Sequence, residues 1–312
     1  MDLYLVTGGA GFIGSNIIEE LLKRGERVRV LDNFSTGRKE NLSRFMSHIE
    51  LIEGDLRNFE SAKRAVDGVD YILHQAALPS VLRSVLDPAA TNEANVSGTV
   101  NLLTAAKESS VKRVVYASSS SIYGDMPTLP KIESMTPNPR SPYAVSKLAA
   151  EFYCRVFHSV YGLETVALRY FNIFGPRQDP NSQYAAAIPL FIRAMIKGEK
   201  PTIFGDGSQS RDFTYVANAV RANLLAARAP QASGRIFNIA CGERFSLNEI
   251  IKKLNWILGT EIDPIHAESR IGDIKHSLAD ISQARQILGY EPLINFEEGL
   301  SKTVEWYKGI GN

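Results

Sequence analysis

The chain has 312 residues, of which 44% are hydrophobic and 22% are charged, and its formal net charge is +1 at pH 7. This composition is typical of a globular enzyme, and the nearly neutral charge does not favour nucleic acid or an anionic membrane as a partner. No apolar run could span a membrane, no signal peptide is visible, and Cys154 and Cys241 have no CxxC spacing, so we expect a cytoplasmic protein with reduced thiols. The five histidines lie far apart, and no metal site is expected.

The first elements are predicted to be a strand, a glycine-rich turn, a helix and a second strand. Residues 3–6 form a short apolar run of the kind found in buried parallel strands. Apolar side chains recur at helical spacing over residues 12–22, which predicts an amphipathic helix. Residues 28–31 predict the next buried strand, which ends at Asp32.

Gly8, Gly11 and Gly14 occupy the turn in the pattern Gly-x-x-Gly-x-x-Gly. Glycine is needed because the backbone must turn sharply and approach a pyrophosphate where a Cβ atom would intrude. The helix that follows directs its free N–H groups at the phosphates. Asp32 lies where a carboxylate accepts both hydroxyls of the adenosine ribose and repels a 2′-phosphate. The turn therefore predicts NAD rather than NADP.

Two further apolar segments, 49–56 and 69–77, predict the third and fourth strands of a parallel sheet. Ligands bind at the carboxyl ends of strands in such sheets. Asp55 follows the third strand, where its carboxylate either meets the adenine or only closes a turn. Ala76 and Ala77 end the fourth strand, and their small side chains suit a position near the pyrophosphate.

The fifth predicted strand, in the sequence KRVVYASSSS, runs directly into the four serines at residues 118–121. These serines are therefore expected at a strand's carboxyl end, beside the cofactor groove. A helix is predicted from Pro142, which suits a helix start, so Tyr143 and Lys147 lie one turn apart on the same face.

Tyr143 and Lys147 together suggest a proton-transfer pair. A tyrosine hydroxyl has an ordinary pKa of about 10, too high for a base at neutral pH. A nearby ammonium and the positively charged nicotinamide ring favour the phenolate, and reaching a pKa of about 7 requires about 4 kcal/mol. Tyr143 can then take a proton from a substrate hydroxyl while a hydride leaves the same carbon for NAD. A nearby serine hydroxyl can position the substrate.

The chain resembles the extended short-chain dehydrogenase/reductase family, and within it the NAD-dependent nucleotide-sugar epimerases. The matching segments are TGGAGFIG, DNFSTG, GDLRN, HQAALPSV, ASSSSIYGD, SPYAVSK, RYFNIFGPRQ, FGDGSQSRDFTYV and RIGDIKHSLAD. The resemblance implies an α/β fold, in which a Rossmann-type, doubly wound parallel sheet is joined to a smaller α/β substrate-binding lobe. The implied NAD-binding domain is 1–167 with parts of 212–240, and the implied nucleotide-sugar lobe is 168–211 and 241–312.

The same resemblance implies roles for individual residues. The family's catalytic serine lies four residues before the tyrosine of YGD, which is Ser119 here, with Ser120 as an accessory to Tyr143 and Lys147. Contacts to NAD are implied for Gly8, Gly11, Phe12, Ile13, Gly14, Asp32, Asn33, Ser35, Thr36, Gly37, Asp55, Leu56, Gln75, Ala76, Ala77, Asn95, Tyr143, Lys147 and Phe171. Contacts to a UDP-sugar are implied for Ser80, Arg83, Ser119, Tyr143, Asn172, Ala187, Arg211, Arg270, Asp273 and Ser277.

The residues after the catalytic serine indicate which of the family's reactions a member catalyses. Dehydratases and decarboxylases resemble the chain closely but carry an acid directly after the Ser or Thr, where this chain has Ser120 and Ser121. Without that carboxylate, water elimination lacks its acid–base partner. The implied reaction is 4-epimerisation of a UDP-hexose, in which C4 is oxidised, the ketone rotates and NAD is regenerated. An NAD-binding regulator without activity is the other alternative, but such proteins typically lack the tyrosine or the lysine.

The resemblance also limits which sugars we expect the substrate to carry. Arg211 and Arg270 are expected to bind the diphosphate, and Asp273 a ribose hydroxyl. Ser277 stands where relatives restricted to glucose and galactose derivatives carry a bulky tyrosine beside C2. We therefore expect N-acetylated UDP-hexoses to be accepted alongside UDP-glucose and UDP-galactose. The alternative substrate is UDP-glucuronate, for whose carboxylate Arg83 is a candidate partner.

The helices predicted at 90–108 and 143–161 have broader apolar faces than one face of a sheet requires. Relatives pair these helices across a two-fold axis, so the resemblance implies a homodimer.

Overall fold

The computed structural model describes residues 1–180, 186–268 and 275–310. The strands are β1 Leu3–Thr7, β2 Arg27–Asp32, β3 Ile49–Glu53, β4 Tyr71–His74, β5 Arg113–Ser119, β6 Thr165–Tyr170, β7 Ile173–Phe174, β8 Thr202–Phe204, β9 Ser210–Arg211, β10 Thr214–Tyr215, β11 Arg235–Ile239, β12 Phe245–Ser246 and β13 Ile265–Ala267. The helices are α1 Phe12–Lys23, α2 Phe59–Val66, α3 Val81–Leu86, α4 Pro88–Asn92, α5 Gly98–Glu108, α6 Pro142–Tyr161, α7 Ala187–Ile196, α8 Val216–Arg228, α9 Leu247–Leu258 and α10 Phe296–Ile310.

Seven parallel strands form the central sheet in the order β11-β6-β5-β4-β1-β2-β3. The chain runs from β1 outward to β3 on one side, then returns to β4 and builds the other side. The order therefore reverses between β1 and β4, and a crevice opens there at the carboxyl ends of the strands. The predicted fold class, a Rossmann-type doubly wound parallel sheet, is confirmed.

Both faces of the sheet are covered, and β1 shows how the sequence produces this. Tyr4 and Val6 pack into one hydrophobic core, whereas Leu3 and Leu5 pack into the core on the opposite face. A strand buried on both sides must be apolar at every position, which is why residues 3–6 form a continuous apolar run rather than an alternating one.

The third strand, predicted over 49–56, stops at Glu53, and two further predicted strands also end earlier than expected. β4 stops at His74, because the chain then leaves the sheet and Ala76 N–H donates instead to the hydroxyl of Thr7 at 3.2 Å. β5 stops at Ser119, and Ser120–Tyr123 forms a single 3₁₀ turn whose first free N–H, of Ser121, is capped by the Ser119 hydroxyl at 3.2 Å. Both departures occur at the crevice, where the backbone turns away from the sheet.

The remaining short strands form three pairs outside the central sheet. β7 pairs with β10 and β8 with β13 in parallel, whereas β9 and β12 are antiparallel. Helices α7, α9 and α10 pack against one another beside them. β6 continues to Tyr170, past the predicted boundary at 167/168, because its whole length pairs with β5 and β11. The division into two domains stays a prediction.

Within the described ranges, no helix combines the length and the apolar character needed to cross a bilayer. The same residues contain no group of three or more His, Cys, Asp or Glu side chains that could hold a metal ion.

Candidate active site

The crevice at the switch point is a cavity of about 730 Å3, a size typical of cofactor sites. The ends of β2, β3, β4 and β5, the glycine turn and the start of α6 surround it. Most of the predicted NAD contacts line this cavity: Gly8, Gly11, Phe12, Ile13, Gly14, Asp32, Asn33, Ser35, Thr36, Gly37, Asp55, Leu56, Gln75, Ala76, Ala77, Tyr143 and Lys147.

The glycine turn has the geometry that a pyrophosphate requires. Gly8 has a φ of +65°, and a Cβ atom there would lie 2.8 Å from the backbone N and Cα of Ala76. A Cβ atom at Gly14 would overlap the carbonyl oxygen of Gly8. Helix α1 follows with no side-chain cap at Gly11, so its first N–H groups lack an acceptor from a capping residue. These N–H groups, at Phe12 and Ile13 on the cavity wall, fit the phosphates of a dinucleotide.

Asp32 is held rigidly at the end of β2. Its carboxylate accepts hydrogen bonds from the backbone N–H of Ala10 at 2.9 Å and of Phe34 at 2.8 Å. Burial raises the pKa of Asp32, and these two hydrogen bonds oppose that effect. Each carboxylate oxygen keeps a further lone pair, so the group fits the two ribose hydroxyls of NAD.

Asp55 also lines this cavity, where it is bound to its neighbours. Arg57 donates to its carboxylate at 2.7 Å, and so does the Asn33 side chain. The Arg57 hydrogen bond is the main reason why the pKa of Asp55 falls to about 2. The sequence left open whether Asp55 meets the adenine or closes a turn, and its place on the cavity wall is compatible with both.

Helix α6 brings the proton-transfer pair to the cavity. The Ser141 hydroxyl caps the helix by accepting from Ala144 N–H at 3.1 Å, and Pro142 is its first residue. Tyr143 therefore lies in the first turn and Lys147 in the second. The Lys147 ammonium donates to the carbonyl oxygen of Ala117 at 2.9 Å and lies 5.9 Å from the centroid of the Tyr143 ring.

The electrostatics of this pair show what the protein alone supplies. Burial lowers the pKa of Lys147 to about 8. Burial raises the pKa of Tyr143 above its ordinary value, and a hydrogen bond with the Ser119 side chain opposes this. The ammonium alone therefore does not make Tyr143 a base at neutral pH. A second positive charge is required, which agrees with the sequence argument that the nicotinamide ring contributes one.

A second cavity of about 340 Å3 adjoins the first. Tyr143, Ser118, Tyr170 and Ile13 line both cavities, so Tyr143 lies at the junction between them. The predicted residues on the wall of the second cavity are Ser119, Ser120, Phe171, Asn172, Arg211 and Ser277. The predicted substrate contacts Ser80 and Arg83 line the first cavity instead.

Asn172 and Ser277 come together although they are far apart in the sequence. Asn172 has a φ of +37°, a left-handed conformation that asparagine tolerates, and its amide donates to the Ser277 hydroxyl at 3.3 Å. The same amide donates to the carbonyl oxygen of Asp212 at 2.9 Å. The buried Asp212 carboxylate in turn accepts from the backbone N–H groups of Cys241 and Ala279, which fixes the loop that carries Ser277.

Four predicted contacts remain. Two of them line neither cavity, and the other two lie outside the described residues. Asn95 is buried behind the first cavity, where its side-chain oxygen accepts from Leu78 N–H at 2.7 Å and supports the loop that lines the cavity. Ala187 begins α7 directly after Ala186, which lines the first cavity. Arg270 and Asp273 lie outside the described residues.

Sequence reasoning assigned no contact to several residues on the cavity walls, among them Tyr170, Lys131 and Ser118, although it expected the serine cluster beside the groove. Tyr170 ends β6, and Ser118 lies within β5, so the rule that ligands bind at the carboxyl ends of strands could have found both. Lys131 lines the second cavity from a proline-containing loop that carries no such signal.

The fold and this site define an NAD-dependent enzyme of the short-chain dehydrogenase type. Residues 4–240 match the NAD dependent epimerase/dehydratase family, and the chain belongs to that family. The predicted family, the enzyme class and NAD as the cofactor are confirmed.

Relatives match over nearly the whole chain. The UDP-N-acetylglucosamine 4-epimerase of Methanobrevibacter ruminantium M1, solved with UDP-N-acetylmuramic acid, is 42% identical, with 99% of each chain covered and a TM-score of 0.95. The UDP-glucose 4-epimerase of Thermotoga maritima, solved with UDP-glucose, is 37% identical, with 99% of this chain and 100% of that chain covered and a TM-score of 0.95. The UDP-glucose 4-epimerase of Mycolicibacterium smegmatis is 38% identical over 308 residues, which are 97% of this chain and 98% of the relative.

Proposed function

We propose that this protein is an NAD-dependent 4-epimerase of UDP-hexoses, which accepts N-acetylated sugars as well as UDP-glucose and UDP-galactose. The observation that carries the proposal is the position of Tyr143 at the junction of the cofactor cavity and the second cavity. A sugar in the second cavity can place its C4 hydroxyl at the Tyr143 oxygen. The names of the relatives support the epimerase class, and two of them were solved with UDP-sugars.

In the proposed reaction, Tyr143 takes the proton of the C4 hydroxyl, and the O–H electrons form the C=O bond of a 4-keto sugar. NAD, which the glycine turn and Asp32 would hold, would supply the hydride acceptor and donor for C4, and rotation of the 4-keto sugar would expose its opposite face. Tyr143 then gives the proton back to the same oxygen. Ser119 hydrogen-bonds with Tyr143 and positions the substrate oxygen beside it. Lys147 supplies a positive charge beside the phenolate.

The second cavity favours epimerisation over elimination. No Asp or Glu is among the described residues that line it, and Ser120 and Ser121 occupy the positions after Ser119. Elimination of water needs a second acid–base group at a neighbouring carbon, whereas 4-epimerisation needs only one group that takes and returns the same proton.

Two observations support N-acetylated substrates. Ser277 is a small side chain on the wall of the second cavity, beside Asn172. The relative from Methanobrevibacter ruminantium was solved with UDP-N-acetylmuramic acid, which is an N-acetylated UDP-sugar. UDP-glucuronate stays the alternative, but Arg83, its candidate partner, lines the cofactor cavity rather than the second cavity.

We also propose that the protein is a cytoplasmic homodimer. The predicted segment 90–108 exposes no large apolar side chain, so its part of the predicted apolar face is wrong. Apolar side chains on α6 and on the adjoining α3 remain exposed: Val145, Phe152, Val156, Val160, Val81, Leu82, Val85 and Leu86. A second copy of the same face would bury these side chains. The two cysteines are not joined in a disulfide, which suits a reducing compartment.

The proposed function is tested by incubating the purified protein with UDP-glucose, UDP-N-acetylglucosamine and UDP-glucuronate and separating the products by chromatography. We expect the first two to be converted to their C4 epimers, and denaturation to release bound NAD. Tyr143→Phe should lower kcat by about 100-fold or more, because the proton-transfer group is lost. The control, Tyr153→Phe on the exposed side of the same helix, should not. Native turnover by Tyr143→Phe would refute the mechanism.

A further inference from the structure

The second cavity has an excess of positive charge. Its described lining includes the cations Lys131 and Arg211 and the imidazole of His276, without a carboxylate. Arg211 is the expected diphosphate ligand. Lys131 has no role in the reaction proposed above, and its position in the fold is therefore informative.

Lys131 is an almost fully buried lysine, with only 2% of its surface exposed. Its backbone is fixed by hydrogen bonds with Leu278 and Asp280, which lie within three residues after Ser277 in the chain. Its ammonium donates to the carbonyl oxygen of Met126, and no carboxylate of the described residues lies within ion-pair distance. Burial lowers the pKa of Lys131, and the charge of Asp125, which lies beyond ion-pair distance, opposes this effect. A buried ammonium with a single neutral acceptor is costly, so its remaining protons call for another acceptor.

Ser121, which lines the same cavity, provides a second, independent observation. Its hydroxyl oxygen is buried and has no hydrogen-bond partner among the described residues. The backbone N–H of Ser121 is bound to the Ser119 hydroxyl, so the residue is held in place. A buried hydroxyl left without a partner costs about 1 to 3 kcal/mol, a cost that a ligand group can remove.

We propose that Lys131 and Ser121 form a binding site for a carbonyl oxygen carried by the hexose, supplied by an acetamido group or by a uronate carboxylate. The inference rests on the proposed function and adds a determinant of specificity to it. Both side chains can donate a hydrogen bond, so the site requires an acceptor atom, and an ammonium binds a carbonyl or carboxylate oxygen more strongly than a hydroxyl. UDP-glucose has neither group, so it gains least from this site.

Lys131→Met tests the proposal, because methionine keeps the approximate shape and removes the charge. The values of kcat/KM are compared for UDP-glucose, UDP-N-acetylglucosamine and UDP-glucuronate. We expect kcat/KM for at least one of the two acyl-bearing substrates to fall about tenfold or more relative to that for UDP-glucose. A fall in kcat/KM for UDP-N-acetylglucosamine shows that the site binds the oxygen of the acetamido group. A fall in kcat/KM for UDP-glucuronate shows that it binds the carboxylate. Ser121→Ala should shift selectivity in the same direction by a smaller factor.

Lys302→Met is the matched control, because Lys302 lies half-exposed on α10 beside Glu298 and is not on either cavity wall. It should leave all three values unchanged. Thermal unfolding of the Lys131→Met protein without ligand separates binding from folding, since loss of a buried charge without an anionic partner should not lower Tm. Equal falls for all three substrates would overturn the inference while the proposed function stands. Failure of the native protein to convert any UDP-hexose would instead overturn the proposed function.

Discussion

Glu151 and Arg169 form a buried ion pair beneath β5, the strand that carries Ser118 and Ser119. Removing one partner tests how much this pair contributes to the stability of the protein around the site. Glu151 lies on α6 one turn past Lys147, and Arg169 lies on β6. Their side chains are 1% and 3% exposed, and the guanidinium donates to the carboxylate at 2.7 and 3.0 Å. The Ser118 hydroxyl donates to the same carboxylate at 2.8 Å, so the pair also anchors the residue before Ser119.

Glu151→Gln should lower the free energy of unfolding by about 3 to 5 kcal/mol, the range for removing one partner of a buried pair. Glutamine keeps the shape but leaves the Arg169 cation buried, with the Tyr123 hydroxyl at 2.8 Å and the Glu133 carbonyl at 3.1 Å as neutral partners. Because the entropy of unfolding scales with chain length, each kcal/mol lowers Tm by about 1.5 °C in a chain of 312 residues, so Tm should fall by about 5 to 8 °C.

The matched control is Glu164→Gln. Glu164 pairs with Arg113 at 2.6 Å, but its side chain is 47% exposed, and Arg113 keeps the carbonyl oxygens of Ala226 and Ala229 as acceptors. Glu164→Gln should lower the free energy of unfolding by about 1 kcal/mol or less. Urea unfolding followed by circular dichroism, with the same saturating NAD concentration for each protein, measures both costs. Equal losses for the two variants would refute the reasoning from burial.

Two further predictions concern pH and assembly. Because burial lowers the pKa of Lys147 to about 8, the unfolded chain holds this proton between pH 8 and about 10 whereas the folded chain does not. The unfolding free energy of the NAD-free native protein should therefore rise relative to that of Lys147→Met by about 1.4 kcal/mol per pH unit over this window, and a difference independent of pH in urea unfolding would contradict this. Val156→Arg, on the exposed apolar face of α6, should give a monomer in light scattering at micromolar concentration. Trp256→Arg, a control at an exposed site on α9, should leave a dimer, and a Val156→Arg dimer would exclude this face.

The cofactor half of the site could be predicted because its signals are local. Gly8, Gly14 and Asp32 fall within one strand–turn–helix–strand segment, and each follows from the steric or charge demand of a dinucleotide. Tyr143 and Lys147 needed only helical spacing and a helix start at Pro142. In these cases the residue, its element and its chemistry lie close together in the sequence.

The substrate half depends on contacts between distant segments, and the sequence carries little signal for them. The hydrogen bond from Asn172 to Ser277 and the backbone pairing of Lys131 beside Ala279 exist only after the lobe has folded. The burial of Lys131 could not be predicted either, because lysines are exposed in most proteins. Asn95 shows the opposite case: a polar residue implied as a cofactor contact hydrogen-bonds the Leu78 backbone and supports the cavity wall from behind.

The distribution of charge across the two cavities explains how one tyrosine can serve the whole reaction. The acids Asp32 and Asp55 lie on the wall of the first cavity, where the adenosine ribose of NAD is expected. The polar side chains described on the wall of the second cavity are cations, hydroxyls, an amide and an imidazole, with no carboxylate, which suits a nucleoside diphosphate and a sugar with many acceptor oxygens. A carboxylate in the second cavity would repel the diphosphate and could compete with Tyr143 for the C4 proton. No such group is among the described residues, which agrees with the proposed mechanism, in which the proton removed by Tyr143 returns to the same oxygen and only the configuration at C4 changes.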